Sequence, residues 1–186
     1  MPWKNGGGST AEIAVSPHGA DLAGFAWRAS IAQVECDGPF SAFPGIDRTL
    51  VLLAGHGMRL TAPDATTVLR APWDMMAFAG EQAMACELCD GPTRDFNLMV
   101  RRDAMRGAVV VVRATPRTLK GFDALLCFAA LGAVECTVDA QPPIVLPPEH
   151  TLVLEDAAAR GRVDVCALAP DGAALVCTMT DARRAS

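Results

Sequence analysis

No tyrosine occurs in this chain, and histidine occurs only three times in 186 residues. The first absence removes one common general acid. The second leaves His18, His56 and His150 apart from one another, none at the spacing of a metal-ligand pair. Long basic runs are missing too: the arginine pairs Arg101-Arg102 and Arg183-Arg184 are the most the chain offers, and its formal net charge is −5. A nucleic-acid surface needs a basic face, so that class is excluded. No apolar run approaches the roughly 20 residues of a bilayer span, and Met1–Gly8 lacks the apolar core of a signal peptide. A cytoplasmic protein is expected.

Seven cysteines make an odd count without a disulfide framework. Most of them (Cys36, Cys127, Cys136, Cys166, Cys177) are read as small hydrophobes within apolar, strand-like runs. The Cys86-x-x-Cys89 pair has no second ligand pair to complete a zinc site, and it precedes a turn, Asp90-Gly91-Pro92, rather than a helix. It is read as structural.

What the chain does have is apolar content, 51% against 20% charged, the balance of a folded globular protein. Short runs of Val, Leu, Ile, Thr and Ala alternate with Gly, Pro, Asp and Asn, which is the rhythm of a β-sandwich or barrel. Strands are expected at Thr10–Val15, Phe25–Cys36, Thr49–Leu53, Gly57–Thr61, Thr66–Leu69, Met75–Phe78, Ala83–Leu88 and Phe96–Arg101. A second set is expected at Gly107–Ala114, Ala124–Ala130, Ala133–Val138, Ile144–Leu146, Thr151–Leu154, Arg162–Ala167 and Ala173–Met179. Asp171-Gly172 reads as a hairpin turn between the last two. Only Thr118–Ala124 and Asp156–Gly161 leave room for a helical turn.

Two pieces of sequence recur. Leu50–Leu60, an apolar strand, a glycine turn and a returning strand, is echoed by Leu125–Cys136. Val68–Phe78, with its proline corner, is echoed by Ile144–Leu154. One supersecondary unit used twice implies two small barrels or one duplicated sheet system.

The densest stretch is Gly38-Pro39-Phe40-Ser41-Ala42-Phe43-Pro44-Gly45-Ile46-Asp47-Arg48. Glycine and proline fix an irregular path there, and two phenylalanines require it to fold back on apolar material. It then presents Ser41, Asp47 and Arg48 at set places. In Asp95–Arg101, strand alternation puts Asp95, Asn97, Met99 and Arg101 on one face, against Phe96, Leu98 and Val100 on the other. An acid, an amide, a thioether and a guanidinium in series fit a ligand site better than a solvated face. In Phe25–Ala32, Arg28 and Ser30 share an otherwise apolar face. A lone arginine there needs a partner; Asp47, Asp95 or a bound carboxylate could supply it.

Taken together, Trp3–Gly8, Trp27–Ser30, Gly38–Arg48, Asp90-Gly91-Pro92 and Asp95–Met99 resemble the HutD/Ves family. The likeness runs through residues 1–102; from Gly107 onward only strand rhythm is shared. The resemblance implies an all-β fold of duplicated, bicupin-like jelly-roll barrels with very little helix. Its units would be 1–105, carrying the motif residues, and 106–182, packed as one compact body in which strands could be exchanged, with 183–186 as a tail. It also implies a role in bacterial histidine utilisation as a regulator, binding a small pathway metabolite such as urocanate or formylglutamate and restraining the pathway. Metal-binding cupins carry a His-x-His pair, a glutamate and a later histidine; that set is missing here, so no metal and no cofactor are expected.

The leading expectation is a metal-free protein that binds a small carboxylate, with no catalytic residues. Arg28, Arg48, Arg101 and Lys4 would contact the anion, arginine offering a planar bidentate fork. Asn5, Ser30, Ser41 and Asn97 would orient it, and Trp3, Phe40 and Met99 would wall it in. Asp47 and Asp95 would pair with arginines inside the site. The alternatives are a metal-independent isomerase or hydrolase using Asp95 or Asp47 as base, and a structural or interaction protein. A homodimer paired through sheet edges is expected.

Overall fold

The computed structural model describes residues 1–3, 6–155 and 161–184. The chain divides into two compact units, Met1–Ala104 and Met105–Ser186. The first contains β1 (Gly8–Ser16), β2 (Trp27–Val34), β3 (Gly38–Pro39), β4 (Ile46–Ala54), β5 (Met58–Thr61), β6 (Thr66–Leu69), β7 (Met75–Ala79), β8 (Ala85–Leu88) and β9 (Thr93–Arg101). The second contains β10 (Met105–Val112), β11 (Arg117–Leu119), β12 (Ala124–Leu131), β13 (Val134–Val138), β14 (Ile144–Leu146), β15 (Thr151–Glu155), β16 (Val163–Ala167) and β17 (Ala173–Asp181). A single turn of 3-10 helix, Ala182–Arg184, is the helical element among the described residues. None of their helices is long and apolar enough to cross a membrane.

Each unit is a pair of antiparallel sheets. In the first, the orders are β1-β2-β9-β4-β7 and β3-β8-β5-β6; in the second, β10-β17-β12-β15 and β11-β16-β13-β14. Adding eight to each strand from β2 to β9 turns the first arrangement into the second, so the duplication holds at the level of every pairing. β1 is the one addition. Two four-stranded layers in this order form the open jelly roll of cupins. Even the irregularities repeat: β4 bulges between Leu52 and Ala54, and β12 bulges between Ala129 and Leu131.

Burial holds the layers together. Leu50, Leu52 and Phe78 from one sheet meet Met58, Leu60, Leu69 and Cys86 from the other, while Leu125, Cys127 and Val176 meet Val134, Cys136 and Val165 in the second unit. Each such side chain contributes about 1.5–3 kcal/mol on removal from water. β9 lies in the middle of its sheet and is buried on both faces through most of its length, from Asp95 to Val100.

Three expectations need correction. Thr118–Ala124 holds no helical turn; its first residues belong to β11, where Thr118 and Leu119 pair with Asp164 and Val163. Asp171-Gly172 does turn the chain, but β16 and β17 join different sheets, so it is a corner and no hairpin. An apolar run, a turn and a second apolar run give the same sequence signal in both cases. Cys36 lies beyond the end of β2 and is exposed. The stretch Asp156–Gly161 falls, up to Arg160, outside the described residues.

The β4–β5 corner depends on glycine. Gly55 adopts φ +102°, and a Cβ there would stand 2.6 Å from the Pro92 carbonyl oxygen and 2.9 Å from Thr93 Cα. Gly55→Ala is expected to cost about 2 kcal/mol of stability. Urea unfolding followed by circular dichroism checks this, and an unchanged midpoint would refute it.

Candidate functional site

The site is built from three rows of side chains on the face of the first unit's larger sheet that packs against the smaller one. Directly opposed residues of paired strands share a face. The register therefore aligns Arg28, Met99, Arg48 and Phe78 in one row. Glu12, Ser30, Asn97, Leu50 and Met76 make the next, and Thr10, Ala32, Asp95 and Leu52 the third. The apolar members belong to the core, and Ser30, Arg48, Asp95 and Asn97 form a buried polar island within it, with Thr10, Glu12 and Arg28 toward its edge.

Arg48 is the centre of that island. It is 8% exposed, and its guanidinium carbon lies 5.3, 5.4 and 5.0 Å from the ring centres of Phe40, Phe43 and Phe78. The two phenylalanines of the glycine- and proline-rich loop thus fold back onto the arginine. Such contacts stabilise a desolvated cation by up to about 2 kcal/mol. Arg48 donates one long hydrogen bond, 3.4 Å, to the Ser41 carbonyl, and its Nε has no partner among the described residues. Burial pulls its pKa down to about 10, against a partly restoring pull from Asp95. It stays cationic at neutral pH.

Asn97 is equally buried, and its Oδ1 also lacks a partner among the described residues. Asp95 is 2% exposed, and Arg48 acts on its carboxyl group through charge rather than through a hydrogen bond. Burial pushes its pKa up to about 7, opposed by the nearby Arg48 charge. Desolvation penalises the charged form of a carboxyl group, so near neutrality it holds its proton about half the time. Beside it, Cys86 is pushed up to about 12, first by burial and then by Asp95.

At the rim, Arg28 donates to Glu12 at 2.7 Å and to Ser30 at 3.2 Å. Its partner is therefore Glu12 of β1, and neither Asp47 nor Asp95. Trp3 packs against the core and donates from Nε1 to Thr10 Oγ1 at 2.7 Å.

Of the residues singled out from sequence, Arg28, Ser30, Arg48, Asp95, Asn97 and Met99 share this face, with Trp3 and Phe40 beside it. Lys4 and Asn5 lie outside the described residues. Ser41 is exposed and contributes its carbonyl oxygen. Asp47 turns to the opposite face, because it neighbours Arg48 along a strand, and accepts from Arg102 at 2.8 Å. Arg101 shares the face, but it donates to the Phe25 and Ala23 carbonyls at 2.8 and 2.5 Å, fastening the loop before β2. Sequence reasoning overlooked Glu12, Phe43 and Phe78. Glu12 gave a signal as the one acid in an apolar strand, and Phe43 gave one as an apolar residue in a loop, whereas Phe78 gave none.

The second unit acts as an internal control. Its register places Leu125, Val176, Ala174 and Val110 where the first unit has Arg48, Asn97, Asp95 and Ser30. The fold itself does not require a polar interior.

Nor do these residues fit the metal of metallo-cupins, whose sites use several imidazoles and a carboxylate. The interior presents one buried carboxyl group beside a guanidinium, and the three histidines are exposed. Among the described residues, no group of three or more His, Cys, Asp or Glu could hold a metal ion.

A duplicated jelly roll of this strand order is a cupin-like fold, and comparison agrees on the fold. A cupin 2 conserved barrel domain protein from Leptotrichia buccalis superposes with a TM-score of 0.57 at 11% identity, over 92% of this chain and 88% of that one. The model of the family described as HutD matches residues 1–174, and the chain belongs to that family. It is 41% identical over 138 residues, 74% of this chain and 72% of the relative, to an uncharacterized 21.2 kDa protein in the hutC 3′ region of Pseudomonas putida. It is 40% identical over 114 residues, 61% of each, to Protein Ves of Cronobacter sakazakii. The solved HutD of Pseudomonas fluorescens SBW25 (formate condition) matches with a TM-score of 0.82 at 30% identity, over 97% of this chain and 92% of that one.

Proposed function

We propose that the interior of the first unit binds a small carboxylate metabolite, and that the protein acts through it as a cytoplasmic restraint on histidine utilisation. The observation that carries this reading is the pair of buried atoms, Arg48 Nε and Asn97 Oδ1, left without partners among the described residues on one face of one sheet. Leaving such groups unsatisfied costs about 1–3 kcal/mol each, more for charged groups. A ligand that accepts from the guanidinium and donates to the amide oxygen would remove both penalties. Urocanate and N-formylglutamate each carry a carboxylate and an N–H. The position of the Pseudomonas putida relative in the hutC 3′ region supports the pathway assignment.

Calorimetry with formate, urocanate and N-formylglutamate, using imidazole as a control without a carboxylate, tests the proposal. Binding of at least one acid with no heat from the control is expected; silence from all three acids overturns it. A second reading, a metal-independent isomerase or hydrolase, is favoured by Asp95, a desolvated acid without a hydrogen-bonding arginine among the described residues. Proton NMR of each acid incubated with the protein separates the two, because only an enzyme would consume it.

A further inference from the structure

We infer that this site takes up its anionic ligand together with one proton, and that Asp95 is the group that holds it. The inference rests on the carboxylate-binding reading and adds a regulator to it, the ambient pH. Its basis is geometric. Asp95 and Arg48 extend from adjacent strands onto one face, and Asn97 lies between their rows. Both are more than nine-tenths buried. A carboxylate bound to Arg48 would therefore stand close to Asp95 in a medium that screens poorly, where two negative charges repel strongly.

Among the described residues, the surroundings offer no other way to absorb that charge. From β4 the only charged group facing Asp95 is Arg48, which the ligand would engage. From β8 the neighbour is the Cys86 thiol, held neutral by a pKa near 12. On β2 and β1, Arg28 and Glu12 are closed on each other at 2.7 Å. β7 brings Phe78 and Met76, and the amino-terminal segment brings Trp3. Asp95 is thus the group whose protonation accommodates an incoming anion, and its pKa of about 7 in the free protein lets the proton be gained within the physiological range.

Below about pH 7 the free site already holds the proton, and affinity is insensitive to pH. Above it, each bound anion draws one proton from solution, and affinity falls about tenfold per pH unit. Ligand binding and acidity would therefore reinforce each other.

The test is calorimetry of formate and N-formylglutamate between about pH 6 and about pH 8.5, repeated in buffers of different ionisation enthalpy. The carboxylates of both probes stay ionised throughout this range. Expected are uptake of close to one proton per ligand at the alkaline end and close to none at the acid end. In Asp95→Asn, affinity should lose its pH dependence and proton uptake should vanish. Binding with a flat pH profile in the unaltered protein, or an unchanged slope in Asp95→Asn, overturns the inference while leaving the carboxylate site standing. Carbon-13 NMR of the free protein measures the same group independently: an Asp95 carboxyl titrating near pH 4 refutes proton coupling even where the acids bind. A near-neutral Asp95 in a protein that binds no probe would refute the carboxylate site itself, and the coupling with it.

Discussion

Replacing Arg48 with methionine is expected to weaken carboxylate binding roughly a hundredfold or more, while leaving the melting temperature near pH 6 unchanged or slightly higher. The two halves of this expectation have separate causes. In the proposed site, binding would depend on the guanidinium, because its Nε is the buried donor without a partner among the described residues, and its charge lies on the face beside Asn97 where an anion would be matched. Stability does not depend on it in the same way. A buried ion costs several kcal/mol in desolvation, and exchanging one for an apolar side chain of similar length is often neutral or favourable. What is lost is the contact with three phenylalanine rings at 5.0–5.4 Å, and a thioether recovers part of that. Asp95 loses its counter-charge and keeps its proton to higher pH, so the variant should become less stable than the native protein only under alkaline conditions. Calorimetry and thermal melts at about pH 6 and about pH 8.5 decide the matter. Retained binding would remove Arg48 from the site, and a collapsed fold at the lower pH would make its role structural.

The second large effect concerns Asp95 in the absence of any ligand. Its folded pKa is about 7 against 3.8 in solution. Below about pH 4 the carboxyl is protonated in both states, and the group adds no pH dependence. Between about 4 and about 7 the unfolded chain has released the proton and the folded one has not, so stability declines with rising pH by up to about 1.4 kcal/mol per unit, roughly 4 kcal/mol in all. Above about 7 the curve flattens again. Asp95→Asn removes this slope, so the difference between variant and native protein should shift toward the variant by that amount across the window. Urea unfolding at several pH values measures it. Parallel curves would show that the carboxyl group titrates as it does in water.

Much of the site could be read from residue order, because strand alternation is a strict geometric rule. It correctly united Asp95, Asn97 and Met99, and it placed Arg28 with Ser30. The same rule, applied to Asp47 and Arg48, separates them, so a loop motif containing both cannot present both to one cavity. The folding back of Phe40 and Phe43 was foreseeable from their apolar character, whereas their target was not. Phe78 reaches Arg48 only through the β4–β7 register, and the identity of a strand's neighbour is a long-range fact. For that reason the sequence offers Asp47, Asp95 or a bound carboxylate as the partner of Arg28, whereas β1 brings Glu12 across from Ser30. The duplicated pairing scheme was audible in two short echoes, because turns and proline corners recur where strands must change sheets. The corner after β16 was misjudged for the complementary reason: nothing in Asp171-Gly172 says which sheet the next strand will enter.

The echo between the two halves has a consequence for how this protein can change over time. Where Leu125, Val176 and Ala174 stand, sequence variation is answerable to cohesion alone, and any polar arrival is simply a defect. At the matching sites Arg48, Asn97 and Asp95, cohesion has already been compromised, and a further polar change there disturbs less of the aliphatic packing. One blueprint thus holds together around a polar interior in one half, while its twin keeps the aliphatic form.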